Sequence, residues 1–306
     1  MKNLKLDWTV WKRRLAYGSF AVLAFLVALR WTFPSQEVKE RLIVEAGTRG
    51  WQIDVEDVSA GGLMGVKARG VKLASDTGLS VPIDEATASL RPLPLLIGRR
   101  SIAFDVSIYD GRVKGTADLS GDQHVVAEVS GVDLGAALPL RKASGLDLLG
   151  RVNGSMDVTV PAAPAAKPSG KVDVRVTDAG LAGGQLPIPG MSGGLPLPRM
   201  GFGEVNASVQ IADGKATFQR LDAKGGDAEL TTQGLYFLVQ PRMEFAPIFG
   251  TAKVRVAEAF WSKSGTQGFK GLAEAALAQS KGTDGSWNFT VTGSVGHPRV
   301  MPAPQR

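Results

Sequence analysis

Three short stretches constrain this chain more than any other feature: "YDGRVKG" (Tyr109 to Gly115), "ADGKATF" (Ala212 to Phe218) and "TDGSWNF" (Thr283 to Phe289). Asp-Gly between alternating segments marks a tight hairpin, because glycine takes positive φ without steric cost and aspartate tolerates it. A chain that repeats this signal builds an antiparallel sheet by local steps. The 38 glycines and the low aromatic content of 7% fit many short strands joined by turns.

The period-two segments fall where such a sheet needs them. Trp51, Ile53 and Val55 alternate with Gln52, Asp54 and Glu56, and further strands are expected over residues 66–73 and 82–90. "RPLPLLIG" (Arg91 to Gly98) interrupts them with two prolines. Ile102, Phe104, Val106 and Ile108 then alternate with Ala103, Asp105 and Ser107, as in a half-buried antiparallel strand. Asp110-Gly111 turns the chain, and Gly121-Asp122 turns it again. A second meander repeats the first: Val205, Ala207, Val209 and Ile211 lead into Asp213-Gly214, then Phe218, then Gly225 to Asp227. Helix is expected near 256–262 and 269–280, and the third Asp-Gly feeds a last strand with Trp287, Phe289 and Val291 on one face.

The N-terminus reads differently. Lys2, Lys5, Lys12, Arg13 and Arg14 precede an uncharged run from Leu15 to Leu29. Fifteen helical residues span about 22 Å, short of a hydrocarbon core of about 30 Å. Arg14 and Arg30 at the two ends, with Trp31 and Phe33 beyond, extend the span by snorkelling and by an aromatic belt. A cleaved signal peptide competes with this reading, but the run ends Ala28-Leu29-Arg30-Trp31, without a small-residue cleavage site. A retained anchor at 15–33 is therefore expected. The basic tail, residues 1–14, stays in the cytoplasm, and the remainder lies across the membrane, in a bacterium the periplasm. A short amphipathic helix after Pro34, with Val38, Leu42 and Ala46 on one face, leads into the first strand.

The expected fold is thus mainly β: one N-terminal transmembrane helix, then a long curved antiparallel meander sheet with a few short covering helices. "VPAAPAAKPSG" (Val160 to Gly170) divides the sheet region into halves at 35–160 and 171–302, with 161–170 as linker or loop and 303–306 as a tail. "LPIPGMSGGLPLPRMG" (Leu186 to Gly201) reads as a cap on a sheet edge or as a plain loop.

Chemistry finds little purchase. Cysteine is absent and there are two histidines, His124 and His297, so thiolate catalysis, disulfides and cysteine-based metal sites are excluded. Gly190-Met191-Ser192-Gly193-Gly194 matches the G-x-S-x-G pattern, yet prolines 187, 189, 196 and 198 deny it the strand-turn-helix that a nucleophile elbow requires. No catalytic residue, metal site or cofactor is expected. The net charge of +6 is concentrated before residue 15, which leaves no basic surface for nucleic acid. What remains is apolar: Ile102, Phe104, Val106 and Ile108, with Val209, Ile211, Trp287 and Phe289, line either a packed core or an open groove of lipid dimensions.

The order of these features resembles the type II secretion system protein N (GspN) family of Gram-negative bacteria. The likeness is carried by the anchor, by "RGWQIDVEDVSAGGLMGVKARGVKLAS" (Arg49 to Ser75), by the two meanders and by the closing "TVTGSVGHPRVMPAP" (Thr290 to Pro304). More distantly the chain is similar to AsmA- and TamB-like periplasmic proteins, which are built of curved sheets with apolar interiors. The resemblance implies an inner-membrane-anchored, non-enzymatic accessory of type II protein secretion, with the bilayer and other secretion-system proteins as partners. The alternative is an AsmA-like protein that binds or transfers lipid in an apolar sheet groove. No functional residue is carried across from either family.

Overall fold

The computed structural model describes residues 34–48, 51–62, 64–75, 80–139, 141, 145–163, 166–186, 195–240, 242–263 and 266–303. The expected anchor and its flanks (Arg14, Leu15, Leu29, Arg30, Trp31, Phe33) lie outside these residues. Among the described residues no helix is long and apolar enough to cross a membrane.

Helix α1 (Ser35–Thr48) leads into β1 (Trp51–Ala60), β2 (Gly65–Ser75) and β3 (Ser80–Leu90). A short helix α2 (Pro92–Leu96) follows, then β4 (Ser101–Ile108), β5 (Gly111–Asp118), β6 (Gln123–Asp133), β7 (Leu146–Val160) and β8 (Ser169–Leu186). The second half comprises β9 (Leu195–Leu197), β10 (Met200–Ala212), β11 (Lys215–Lys224), β12 (Ala228–Leu238) and β13 (Ile248–Val256). Helices α3 (Glu258–Trp261) and α4 (Gln267–Ala276) precede β14 (Trp287–Gly293) and β15 (Pro298–Pro302). All strands join one antiparallel sheet in which fourteen follow one another in chain order. Strand β9 pairs with β8 in the same register as β10 does, so the two are one strand interrupted at Pro198-Arg199, where proline has no amide to donate.

The meander is continuous through the segment expected to divide it. Strands β7 and β8 pair from Leu146–Gly184 to Thr159–Ser169, so residues 161–168 connect the two arms of a single hairpin. Neighbouring strands about 4.8 Å apart make the fourteen-strand sheet roughly 60 Å across. Register shifts in the β6–β7, β7–β8, β8–β10, β10–β11 and β12–β13 ladders bend and twist its strands.

The Asp-Gly signals resolve into three different turns. At the second, Asp213 (φ 53°) and Gly214 (φ 75°) are the two central residues of a hairpin, with Ala212 opposite Lys215. At the first, the central residues are Tyr109 (φ 48°) and Asp110 (φ 59°), one position earlier than expected, and Gly111 already pairs with Ile108. Gly111 is needed for a different reason: a Cβ there would lie 2.4 Å from the Val132 backbone, at the bulge of β6. At the third, Asp284 accepts hydrogen bonds from the Ser286 amide (3.2 Å) and hydroxyl (2.6 Å), which shapes the approach to β14.

Two apolar clusters close the ends of the sheet. At one end Val55, Val58, Ala68, Val71 and Ile83 are buried, with Val38 of α1 packed against them. The strand alternation slips by one at Gly70 (φ 59°), which turns Val58 and Ala68 to the same side as Val55 and Val71. At the other end Phe260 and Trp261 of α3, Ala273 of α4 and Trp287 of β14 are buried together, and Met200 of β10 reaches the same cluster. Trp261 stacks on Phe269 at 5.9 Å and meets Trp287 edge-on at 6.3 Å.

Candidate functional site

Residues opposite one another in an antiparallel ladder point to the same face, so the register sorts every side chain. One row crosses ten strands: Ala60, Val66, Ala88, Phe104, Gly115, Ala127, Met156, Val172, Val209 and Phe218, each paired with the next. None carries a polar group. The neighbouring row on the opposite face runs Ser59, Lys67, Thr87, Asp105, Lys114, Glu128, Ser155, Asp173, Ser208 and Arg220. None of these is apolar. The sheet therefore has two chemically opposite surfaces, and the apolar one runs on through Leu230, Val254 and Trp287, paired in turn.

The polar surface is stabilised by cross-strand charge pairs. Arg112 grips Asp105 with two bonds, at 2.5 and 2.6 Å, and Lys67 meets Glu85 at 2.6 Å. Arg112 holds the Asp105 carboxyl below its ordinary value against the opposing effect of burial. Arg175 of β8 pairs with Glu204 of β10, and within β11 Arg220 and Lys224 bracket Asp222 and hold its carboxyl below its ordinary value. The exposed cross-strand pairs contribute little each, but alternating charge keeps this face in water.

The apolar face has no such partners, and its burial is uneven. Beneath the terminal helices it is core: Trp287 is 5% exposed and meets Trp261 of α3. Across the middle strands Phe104, Val113, Val125, Met156, Val172 and Val174 are only half-buried, and among the described residues no helix lies over them. Small residues keep the surface low. A Cβ on Gly115 would meet the Val126 carbonyl at 2.2 Å and the Phe104 ring at 2.5 Å.

All eight residues singled out from the sequence lie on this face, in three settings. Ile102 and Phe104 belong to the half-buried middle, Val106 and Ile108 border the first cluster, and farther along the face Val209 is buried while Ile211 is half-buried. Trp287 and Phe289 join the helix-covered cluster, so they pack a core rather than line a groove. Sequence reasoning missed the middle of the surface, from Val113 to Val176. Its strands alternate as clearly as β4 does, and pairing those alternations would have found it.

Polar chemistry is sparse. His124 Nε2 lies 2.8 Å from Asp157 Oδ1 on the exposed polar face. Among the described residues no group of three or more His, Cys, Asp or Glu is placed to hold a metal ion. A cleft of about 880 Å³ between β8, β10 and the end of α3 is lined by Asp178, Arg199, Asp227 and Lys263. Asp227 is already engaged there, by the Gly201 amide at 2.9 Å and by Lys263 at 2.6 Å. Burial pushes its carboxyl up, and those two partners outweigh burial and hold it below its ordinary value. Ser192 of the G-x-S-x-G match lies outside the described residues. No protein-family model, curated protein or solved structure matches this chain.

Proposed function

We propose that this chain is a non-enzymatic lipid-binding protein whose apolar sheet face receives acyl chains. The observation that carries the reading is the uninterrupted apolar row from Ala60 to Phe218, closed among the described residues by packed helices only at the two ends of the sheet. A fully apolar surface of this length, half open to water, needs a partner with no hydrogen-bonding groups of its own. Acyl chains meet that requirement, and a face roughly 60 Å long accommodates several of them end to end. Headgroups would remain at the strand ends, where turns and charged residues meet water.

In this reading residues 15–33 anchor the protein in a bacterial inner membrane by a single pass, with the sheet in the periplasm and able to exchange lipid with the bilayer. The basic residues before Leu15 support that orientation. Native mass spectrometry of the full chain, extracted from membranes and stripped of detergent in the gas phase, tests the proposal. Bound diacyl lipid at stoichiometric load is the expected result, and a protein free of lipid would sink it.

A second reading, an accessory component of type II secretion, draws on the family resemblance and on β15, an edge strand exposed at every residue. An exposed edge can recruit a partner by strand addition, although Pro298 and Pro302 remove two of its donors. Unchanged export of type II substrates in a deletion strain would dispose of it.

A further inference from the structure

The meander places alternate turns on opposite rims of the sheet. The turns after β1, β3, β5, β7, β10, β12 and β14 form one rim, and those after β2, β4, β6, β8, β11 and β13 form the other. Among the described residues the three most exposed large apolar side chains all stand on one connection of the first rim. The first rim carries Leu93 (75% exposed), Leu96 (81%), Ile97 (72%), Phe245 (58%), Leu119 (50%) and Met64 (49%). Toward the second rim, among the described residues, Val44 near the end of the first helix is 66% exposed, Leu138 57% and Leu272 on α4 54%.

The β3–β4 connection carries Leu93, Leu96 and Ile97. Its ten residues, Arg91 to Arg100, contain three arginines and no acid. The connection is well ordered by its own backbone: the Ile97 and Arg99 amides both donate to the Pro94 carbonyl, at 3.2 and 2.9 Å. Leu119 donates to the Arg100 carbonyl at 2.7 Å, and the Arg100 amide donates to Ser120 Oγ at 3.0 Å, which ties the connection to the next turn on the same rim. The three leucine and isoleucine side chains therefore project from a fixed platform. Among the described residues none of Arg91, Arg99 and Arg100 makes an ion pair. Apolar side chains standing in water beside unpaired guanidinium groups match a surface that offers hydrocarbon below and anions above.

The start of the described chain lies on the same side. Helix α1 ends two residues before β1 begins at the second rim, and its Val38 packs against the cluster around Val55 and Val58. The helix thus runs back along β1, with Ser35 toward the first rim. From these observations we infer that the first rim, led by Leu93, Leu96 and Ile97, docks on an anionic lipid bilayer and inserts those three side chains below the headgroups. The inference stands apart from the acyl-chain reading, since a rim resting on lipid requires none within the sheet.

The absence of cysteine makes the test clean. Leu96→Cys and Leu138→Cys are each labelled with an environment-sensitive fluorophore, and the full chain is reconstituted into vesicles of phosphatidylcholine and phosphatidylglycerol. Both positions are exposed, so neither change threatens folding. The Leu96 label is expected to be quenched severalfold when nitroxide-bearing phosphatidylcholine is included, while the Leu138 label is not. Replacing Arg91, Arg99 and Arg100 with Gln should shift the docked-to-undocked ratio by roughly fivefold per arginine removed, and less in high salt. A Leu96 label insensitive to the nitroxide lipid overturns the proposal, whether it stays in water or moves into a protein contact. Quenching at both positions overturns it too, because the protein would then lie flat. Lipid found or missing in the sheet leaves this result unaffected.

Discussion

Val172→Asp separates an open apolar face from a filled core. Val172 sits on β8 between Met156 and Val209, half-buried, at the centre of the row that crosses the sheet. Full burial of a valine contributes about 1.5 kcal/mol, so losing a half-buried one costs roughly 1 kcal/mol. On an open face the new carboxylate keeps its water and adds little more. Such a loss lowers Tm by only a few degrees in a protein of this size. Were the face a packed core, an unpaired charge would cost about 3–5 kcal/mol and the protein would fail to fold or melt far lower. Acyl binding responds in the opposite sense, because a charge facing hydrocarbon removes at least about tenfold in affinity. Thermal unfolding by circular dichroism and lipid content by mass spectrometry are read on the same sample. A folded variant with little lipid is expected. A variant that unfolds refutes the open face, and a folded variant with full lipid content refutes acyl binding there.

Other outcomes follow from the same structure. Phe260→Ala empties a fully buried site beside the Trp261 ring and should cost about 3–5 kcal/mol in urea denaturation, several times the effect of Val172→Asp. Gly115→Val drives a side chain against the Val126 carbonyl and the Phe104 ring and should destabilise by about 1–3 kcal/mol, read in the same assay. The Asp105–Arg112 pair depends on pH in a definite sense. Since the folded carboxyl titrates below its ordinary value of 3.8, its stabilisation is present above that value and is lost as pH falls through the lower, folded one. A double-mutant cycle with Asp105→Asn and Arg112→Gln should show a coupling under about 1 kcal/mol near neutrality that vanishes in acid. A coupling that persists in acid would contradict the assignment.

The sequence conveyed the fold through its alternations more securely than through its turns. Residues 102 to 108 announced β4, with an apolar face and a polar one, and β10 and β14 were equally plain. The Asp-Gly signal was less faithful, because the same dipeptide serves a hairpin at 213–214, a close approach to Val132 at Gly111, and a side-chain-bonded turn at Asp284. The alanine and proline of 160–170 left linker and loop both open, because local composition does not reveal that β7 and β8 pair on both sides of it. The apolar face itself is a non-local property. Single strands show alternation, but only the register shows that Phe104, Met156 and Val172 share a surface, and only packing distinguishes covered Trp287 from half-open Phe104. The apolar rim escaped notice for a related reason: prolines at 92 and 94 read as a break in the sheet, which does not tell that Leu93 and Leu96 stand in water.

Photo-crosslinking in living cells tests the central claim most directly. A photoreactive phenylalanine analogue is placed at Phe104 or Met156 on the apolar face, and at Asp105 or Ser155, their neighbours on the polar one. Acyl binding predicts phospholipid adducts from the first two positions and none from the second two. Adducts from neither face, or equally from both, would contradict it.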